Sequence, residues 1–139
     1  MKIIAVFVVT LLSLCACSNF ASVVRKATYP PEFKYVSGDE LRGNMQKLAF
    51  RLQELDLALN SLTPDQQAVL ESLRQIERIG SSMQAGEAGS NHPFLEDYMQ
   101  NFVSQVSQAK QAAALNPPRY YRAGQVAGGC LSCHKVNRF

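Results

Sequence analysis

Near the carboxyl end of a 139-residue chain, Cys130-Leu131-Ser132-Cys133-His134 gathers scarce residue types within five positions. The whole chain has only 4 Cys and 2 His, and no Trp. C-x-x-C-H is the spacing of covalent haem c attachment. On a helix it sets two thiols one turn apart, where each can form a thioether with one of two vinyl groups on a porphyrin edge. The adjacent imidazole then reaches the iron as proximal ligand. On that chemistry Cys130 and Cys133 hold the ring and His134 holds the metal. Three other uses of these residues stand beside it. A dithiol oxidoreductase expects a βαβ setting with the C-x-x-C near a helix N-terminus. A structural zinc site needs a fourth ligand such as His92, and has Cys133 and His134 bind one ion from adjacent positions. A structural disulfide leaves His134 without a task.

The motif needs a helix to carry it, and the pattern supplies one. After Asn116-Pro117-Pro118, the residues Tyr120, Ala123, Ala127, Cys130 and His134 recur at steps of 3 or 4. Upstream the same period appears three more times. Ser37-Gly38-Asp39-Glu40 matches a capping box, and Leu41, Met45, Leu48, Leu52, Leu55 and Leu59 follow as one apolar stripe. Thr63-Pro64-Asp65-Gln66 repeats the capping logic with Pro at the first helical position, ahead of Val69, Leu73 and Ile76. Asn91-His92-Pro93 starts a third helix that carries Leu95, Tyr98, Phe102, Val106, Ala109 and Ala113 and runs to about Leu115. Strand signal is nearly absent, so the chain reads as all-α. Short connections make sequential helices antiparallel, which gives an up-down-up-down four-helix bundle.

Composition sets limits on function. A chain of 139 residues with 47% hydrophobic residues makes one domain with a core and excludes a multidomain enzyme. A net charge of +3 with no basic block argues against nucleic acid as a partner. There is no Gly-rich phosphate loop.

The amino end reads as an address. Met1-Lys2 is a short positive region, and the apolar run from Ile3 to Leu14 is too short to span a bilayer comfortably, as in a secretory signal. Leu14-Cys15-Ala16-Cys17, with Ala at −1, resembles a bacterial lipobox and makes Cys17 the acylated first residue; Cys15 fits poorly because Leu14 stands before it. Ordinary cleavage near Cys17 or Ala21 is the alternative. Either way the protein leaves the cytoplasm. The expected organisation is a signal peptide at 1–16, a tether at 17–36 containing Tyr29-Pro30-Pro31, and a helical domain at 37–139.

With the haem motif on the last of four helices, the region from Ser37 to Phe139 resembles the cytochrome c′ and cytochrome c-556 family. Val126-Ala127 before the first Cys and Arg138 four residues after the His add to the likeness, while Asn137 stands where the family often has an aromatic residue. The resemblance implies haem c on the C-terminal helix inside the bundle, with a residue of the first helix over the open face of the iron. That residue is Met in low-spin members and an apolar non-ligand in many five-coordinate, gas-binding members. Met45 lies about where the resemblance puts it. A thioether is a competent sixth ligand, and Met on a core stripe is also ordinary packing. Met83, in the Gly-rich end of helix two, and Met99, beside Tyr98 and off the main stripe, are less well placed. His92, between a cap and a Pro, is expected to be exposed or bonded to backbone. Arg42, one turn before Met45, can pair with a haem propionate or lie on a solvated face. Gly43, Gly124, Gly128 and Gly129 fit close approach of a porphyrin or of helices.

The expected function is one-electron transfer rather than enzymatic catalysis, since the mechanism requires no acid, base or nucleophile. The expected partners are periplasmic or membrane redox proteins, the haem c maturation machinery, and the membrane itself through a lipid anchor. The alternative is a five-coordinate haem protein that binds NO or CO. A third reading is a structural or assembly lipoprotein without haem. The resemblance also implies a homodimer through the first two helices, although Arg, Gln and Glu cover much of their outer faces.

Overall fold

Helix α1 spans Gly38–Leu59 in the computed structural model, which describes residue 24 and residues 27–136. The signal segment 1–16, Cys17, Asn137 and Arg138 lie outside the described residues. The Ser37 hydroxyl accepts the Glu40 amide at 3.2 Å, while Asp39 and Glu40 set negative charge against the helix N-terminus. The expected stripe faces inward: Leu48 and Leu55 are buried, and Leu41, Met45, Leu52 and Leu59 pack half-buried on the same core. On the outer side Phe50 and Leu57 are exposed.

Helix α2 spans Gln66–Ser82. Its cap is Asp65, whose carboxylate accepts the Gln67 amide at 2.9 Å, so the helix begins beyond the Thr63-Pro64 expected to start it. A carboxylate satisfies the orphan amide and also complements the helix dipole, which the Thr hydroxyl does not. Val69, Leu73 and Ile76 are fully buried, as their spacing predicts. Close contact with the next helix needs Gly80, where a Cβ would meet Val103 Cγ2 at 2.9 Å.

The third element departs from its expected phase. It opens as a π-helical turn, Leu95–Met99, and continues as α3, Gln100–Ala113. Met99, four residues after Leu95, is buried with it, and Tyr98, placed on the stripe by the expected spacing, is only half-buried. The rest of the stripe, Phe102, Val106, Ala109 and Ala113, is buried as expected.

Helix α4 spans Tyr121–Val136. Its inward residues are Ala123 and Val126, with Cys130 and Cys133 half-buried below them. Ala127, expected on the stripe, is exposed, and so is His134. The inward steps run 3, 4, 3 from Ala123 rather than 4, 3, 4, because α4 seats chiefly on α3 and its phase follows that contact.

The core is made by α1 on α2, α2 on α3 and α3 on α4, with a sparser return contact from α4 to α1. Gln66 at the start of α2 donates to the carbonyls of Ala113 at 2.8 Å and Leu115 at 3.1 Å, and Lys110 pairs with Glu77 between α2 and α3. Among the described residues there are four α-helices, isolated bridges instead of strands, and no helix long and apolar enough to cross a membrane.

The end of the expected tether is docked on this body. Lys34 donates to Gly89 O at 2.9 Å, and Asn91 exchanges two bonds of 2.8 Å with the backbone of Val36, a core residue. Gly86 lies so near this strap that a Cβ would sit 1.9 Å from Glu32 O. Tyr29 stacks on Phe33 and Tyr35.

A candidate thiol, thioether and imidazole pocket

One pocket collects the chemistry-bearing residues. Helix α1 contributes Met45 and Leu48, the segment ahead of α3 contributes Phe94, Tyr98 and Met99, α3 contributes Phe102, and α4 contributes Gly129, Cys130, Cys133 and His134. The enclosed part is about 40 Å³, and the free space reaching out through its mouth is about 390 Å³. No lining residue is an acid, a Lys or an Arg.

The helical rise puts Cys130 and Cys133 on one face, and neither is in a disulfide. Burial pushes the Cys130 thiol above its ordinary pKa, and the neighbouring Cys133 adds to that rise. Both sit in the C-terminal half of α4, where the helix dipole disfavours a thiolate. A disulfide oxidoreductase activates its thiol in the opposite setting, at a helix N-terminus. Gly129 seats α4 against α3: a Cβ there would meet Phe102 Cδ2 and Gln105 Oε1, each at 3.2 Å.

Of the residues singled out from sequence, Cys130, Cys133, His134 and Met45 come together here. Arg42 does not line the pocket; it is exposed and paired with Asp39 within the first turns of α1. His92 is not a lining residue either. Its Nε2 lies 3.0 Å from Val36 O and its ring rests against Phe94, so the backbone-bonded expectation holds. The zinc reading loses its fourth ligand with it, and no cluster of three or more His, Cys, Asp or Glu suited to a metal occurs among the described residues. The spacing argument sets Met99 aside, since Tyr98 at i+3 and Met99 at i+4 from Leu95 both fit a helical period and the expected stripe runs through Tyr98, and it misses Phe94, whose only signal is an apolar residue directly after Asn-His-Pro. The glycines divide. Gly129 is a helix contact, while a Cβ at Gly43, Gly124 or Gly128 would meet nothing within 4 Å.

No family model matches the chain, and neither a curated protein nor a solved structure does.

Proposed function

We propose that the chain is a c-type cytochrome, an exported electron carrier with one haem c bound through Cys130, Cys133 and His134 and with Met45 as sixth ligand. The observation that carries this reading is the convergence of those four side chains on one apolar pocket, although Met45 comes from the first helix and the others from the last. The donor set fits the group: two thiols one turn apart and outside any disulfide, an imidazole beside them and a thioether across the pocket. The cavity of about 40 Å³ is smaller than a porphyrin, so a bound group would extend through the mouth or part α1 from α4, which touch only sparsely.

When bound, the haem supplies an iron that alternates between ferrous and ferric states. The chain's own residues hold it and set its surroundings. Cys130 and Cys133 would hold the ring through thioether bonds to its two vinyl groups, and His134 and Met45 would supply ligands to its iron. Leu48, Phe94 and Phe102 exclude water and keep the local dielectric low, which, with a thioether ligand, favours a raised potential. An antiparallel up-down-up-down order is part of the proposal. It is supported by Gln66, at the start of α2, reaching the carbonyls that end α3. Export to the periplasm with a lipid on Cys17, contact with periplasmic or membrane redox partners, and maturation by the haem c machinery follow from the same reading. The exposed Phe50 and Leu57 on α1 are consistent with a homodimer through that helix.

The test is optical. The chain is exported from a host that matures haem c, and colour that survives denaturation reports covalent attachment. Sharp low-spin reduced bands, a weak far-red thioether band when oxidised and little response to CO are expected of the electron carrier. A colourless chain refutes the proposal. A broad high-spin spectrum that shifts readily with CO means an open iron and a gas-binding protein instead.

A further inference from the structure

The last acidic residue of the chain is Asp97. Beyond it stand Lys110, Arg119, Arg122, Lys135 and Arg138 with no Asp or Glu among them. The other nine cations face all 11 acids, so the net charge of +3 arises wholly in this stretch, which folds as α3 and α4. Among the described residues the ion pairs engage Arg42, Arg51, Arg74 and Lys110, and none engages Arg119, Arg122 or Lys135. Arg122 donates to the neutral Gln108 Oε1 at 2.6 Å, which leaves its charge uncompensated.

The side of α4 turned away from the pocket is laid out as a contact surface. Tyr121, Gly124, Gly128, Leu131 and Lys135 recur at steps of 3 or 4 and are all exposed, opposite the inward Ala123, Val126, Cys130 and Cys133. Tyr121 is 78% exposed and Leu131 74%. A Cβ at Gly124 or Gly128 would meet nothing within 4 Å, so no element among the described residues covers the row.

We propose that this outer face of α4 is where an acidic redox partner docks and exchanges one electron with the haem, the iron being oxidised as the partner is reduced, or the reverse. The inference rests on the haem reading of the pocket. Charge selects the partner: uncompensated cations on an acid-free helix draw an anionic surface to this side, while the first 97 residues, with more acids than cations, do not. Tyr121 and Leu131 supply apolar contact beside those cations. Distance selects the helix. An α-helix is about 10–12 Å across with its side chains, so a partner on this face is one helix away from Cys130 and Cys133. Helix α2 makes its main contacts with α1 and α3, so an approach over α2 is separated from the motif by a further helix.

The experiment oxidises the reduced, matured protein with the trianion hexacyanoferrate(III) and, separately, with the trication tris(phenanthroline)cobalt(III), in stopped flow. The ratio of the two rate constants cancels any change in the haem potential. Lys135→Glu is compared with Arg78→Glu, an exposed position on α2 that changes net charge equally. At about 0.1 M ionic strength, where the screening length is about 10 Å, Lys135→Glu is expected to lower the anion-to-cation ratio several-fold and Arg78→Glu to leave it nearly unchanged. Equal falls in both variants mean that net charge alone is felt, and no fall in Lys135→Glu means that electrons pass elsewhere; either overturns the inference while the haem reading stands. A chain without covalent haem overturns both. Sedimentation of the unlipidated protein with vesicles of anionic phospholipid, lost in Lys135→Glu, would make the face a membrane surface and overturn the inference too. Should Lys135→Glu fail to mature, the redox-inert trianion hexacyanochromate(III) decides the matter on the wild type. Selective broadening of the Leu131 and Lys135 amide resonances supports the inference, and broadening confined to other helices overturns it.

Discussion

Replacing Gly128 and Gly129 by Ala, one at a time, separates the two faces of α4 at the point where it carries the thiols. In a helix interior Gly is less stable than Ala by about 0.5–1 kcal/mol, because its backbone loses more freedom on folding. At Gly128 the new methyl meets nothing within 4 Å, so that difference is gained in full. At about 4–8 °C per kcal/mol for a domain near this size, Gly128→Ala should raise Tm by a few degrees. At Gly129 the same gain is set against contacts of 3.2 Å to Phe102 Cδ2 and Gln105 Oε1. The Gln end can move, but the Phe102 ring is 7% exposed and has core on its other side. Overpacking of that kind typically costs about 1–3 kcal/mol, so Gly129→Ala should come out between neutral and about 2 kcal/mol destabilised. Thermal unfolding of the reduced, haem-free chain followed by circular dichroism measures both. If Gly129→Ala stabilises as much as Gly128→Ala, then α4 is not seated on Phe102, and Cys130 and Cys133 do not face the pocket in the way described above. A Gly128→Ala variant that loses more than about 1 kcal/mol would show that this face of α4 is covered rather than open.

Three further outcomes are expected. The Tyr120 hydroxyl is buried without a hydrogen-bond partner, so Tyr120→Phe should stabilise by about 1–3 kcal/mol; a loss of stability in urea titration would mean the hydroxyl is satisfied. Burial holds the Cys130 thiol above its ordinary pKa, so the folded chain keeps a proton that the unfolded chain releases. Stability of the reduced chain should then be fully present below the ordinary thiol pKa of about 8.5 and fall as pH rises through it. Cys130→Ala should flatten that slope, and an unchanged slope in the variant would assign it elsewhere. Finally, Gly86→Ala drives a methyl into Glu32 O, so limited proteolysis should cut residues 30–36 faster than in wild type while α1 to α4 stay intact; equal cutting would refute the docking of the strap.

The four helices were legible because amphipathic period and capping chemistry are local. Leu41 to Leu59 needs no partner to announce its inner face, and Ser37 caps where its capping box says. The C-x-x-C-H motif was equally legible, since its chemistry depends on neighbours within five residues. Legibility ended where a choice had two local solutions. Thr63 ahead of Pro64 reads as a cap, yet the helix takes its cap two residues later at Asp65, whose carboxylate caps as well and adds charge. Ala127 and Val126 both continue a helical stripe, and the seat of α4 on α3 selected Val126.

The sequence by itself determined an all-helical chain, the places where its α-helices lie, and a C-terminal helix bearing two thiols and an imidazole at fixed spacing. Each of these follows from interactions within a few residues. Tertiary structure decided that Met45 meets that motif, that Met99 joins it beside Tyr98, that Arg42 and His92 stay outside, and that residues 34–36 belong to the body. Those outcomes depend on how whole helices are phased against one another. A single glycine contact can set that phase, and it leaves no periodic mark on the chain.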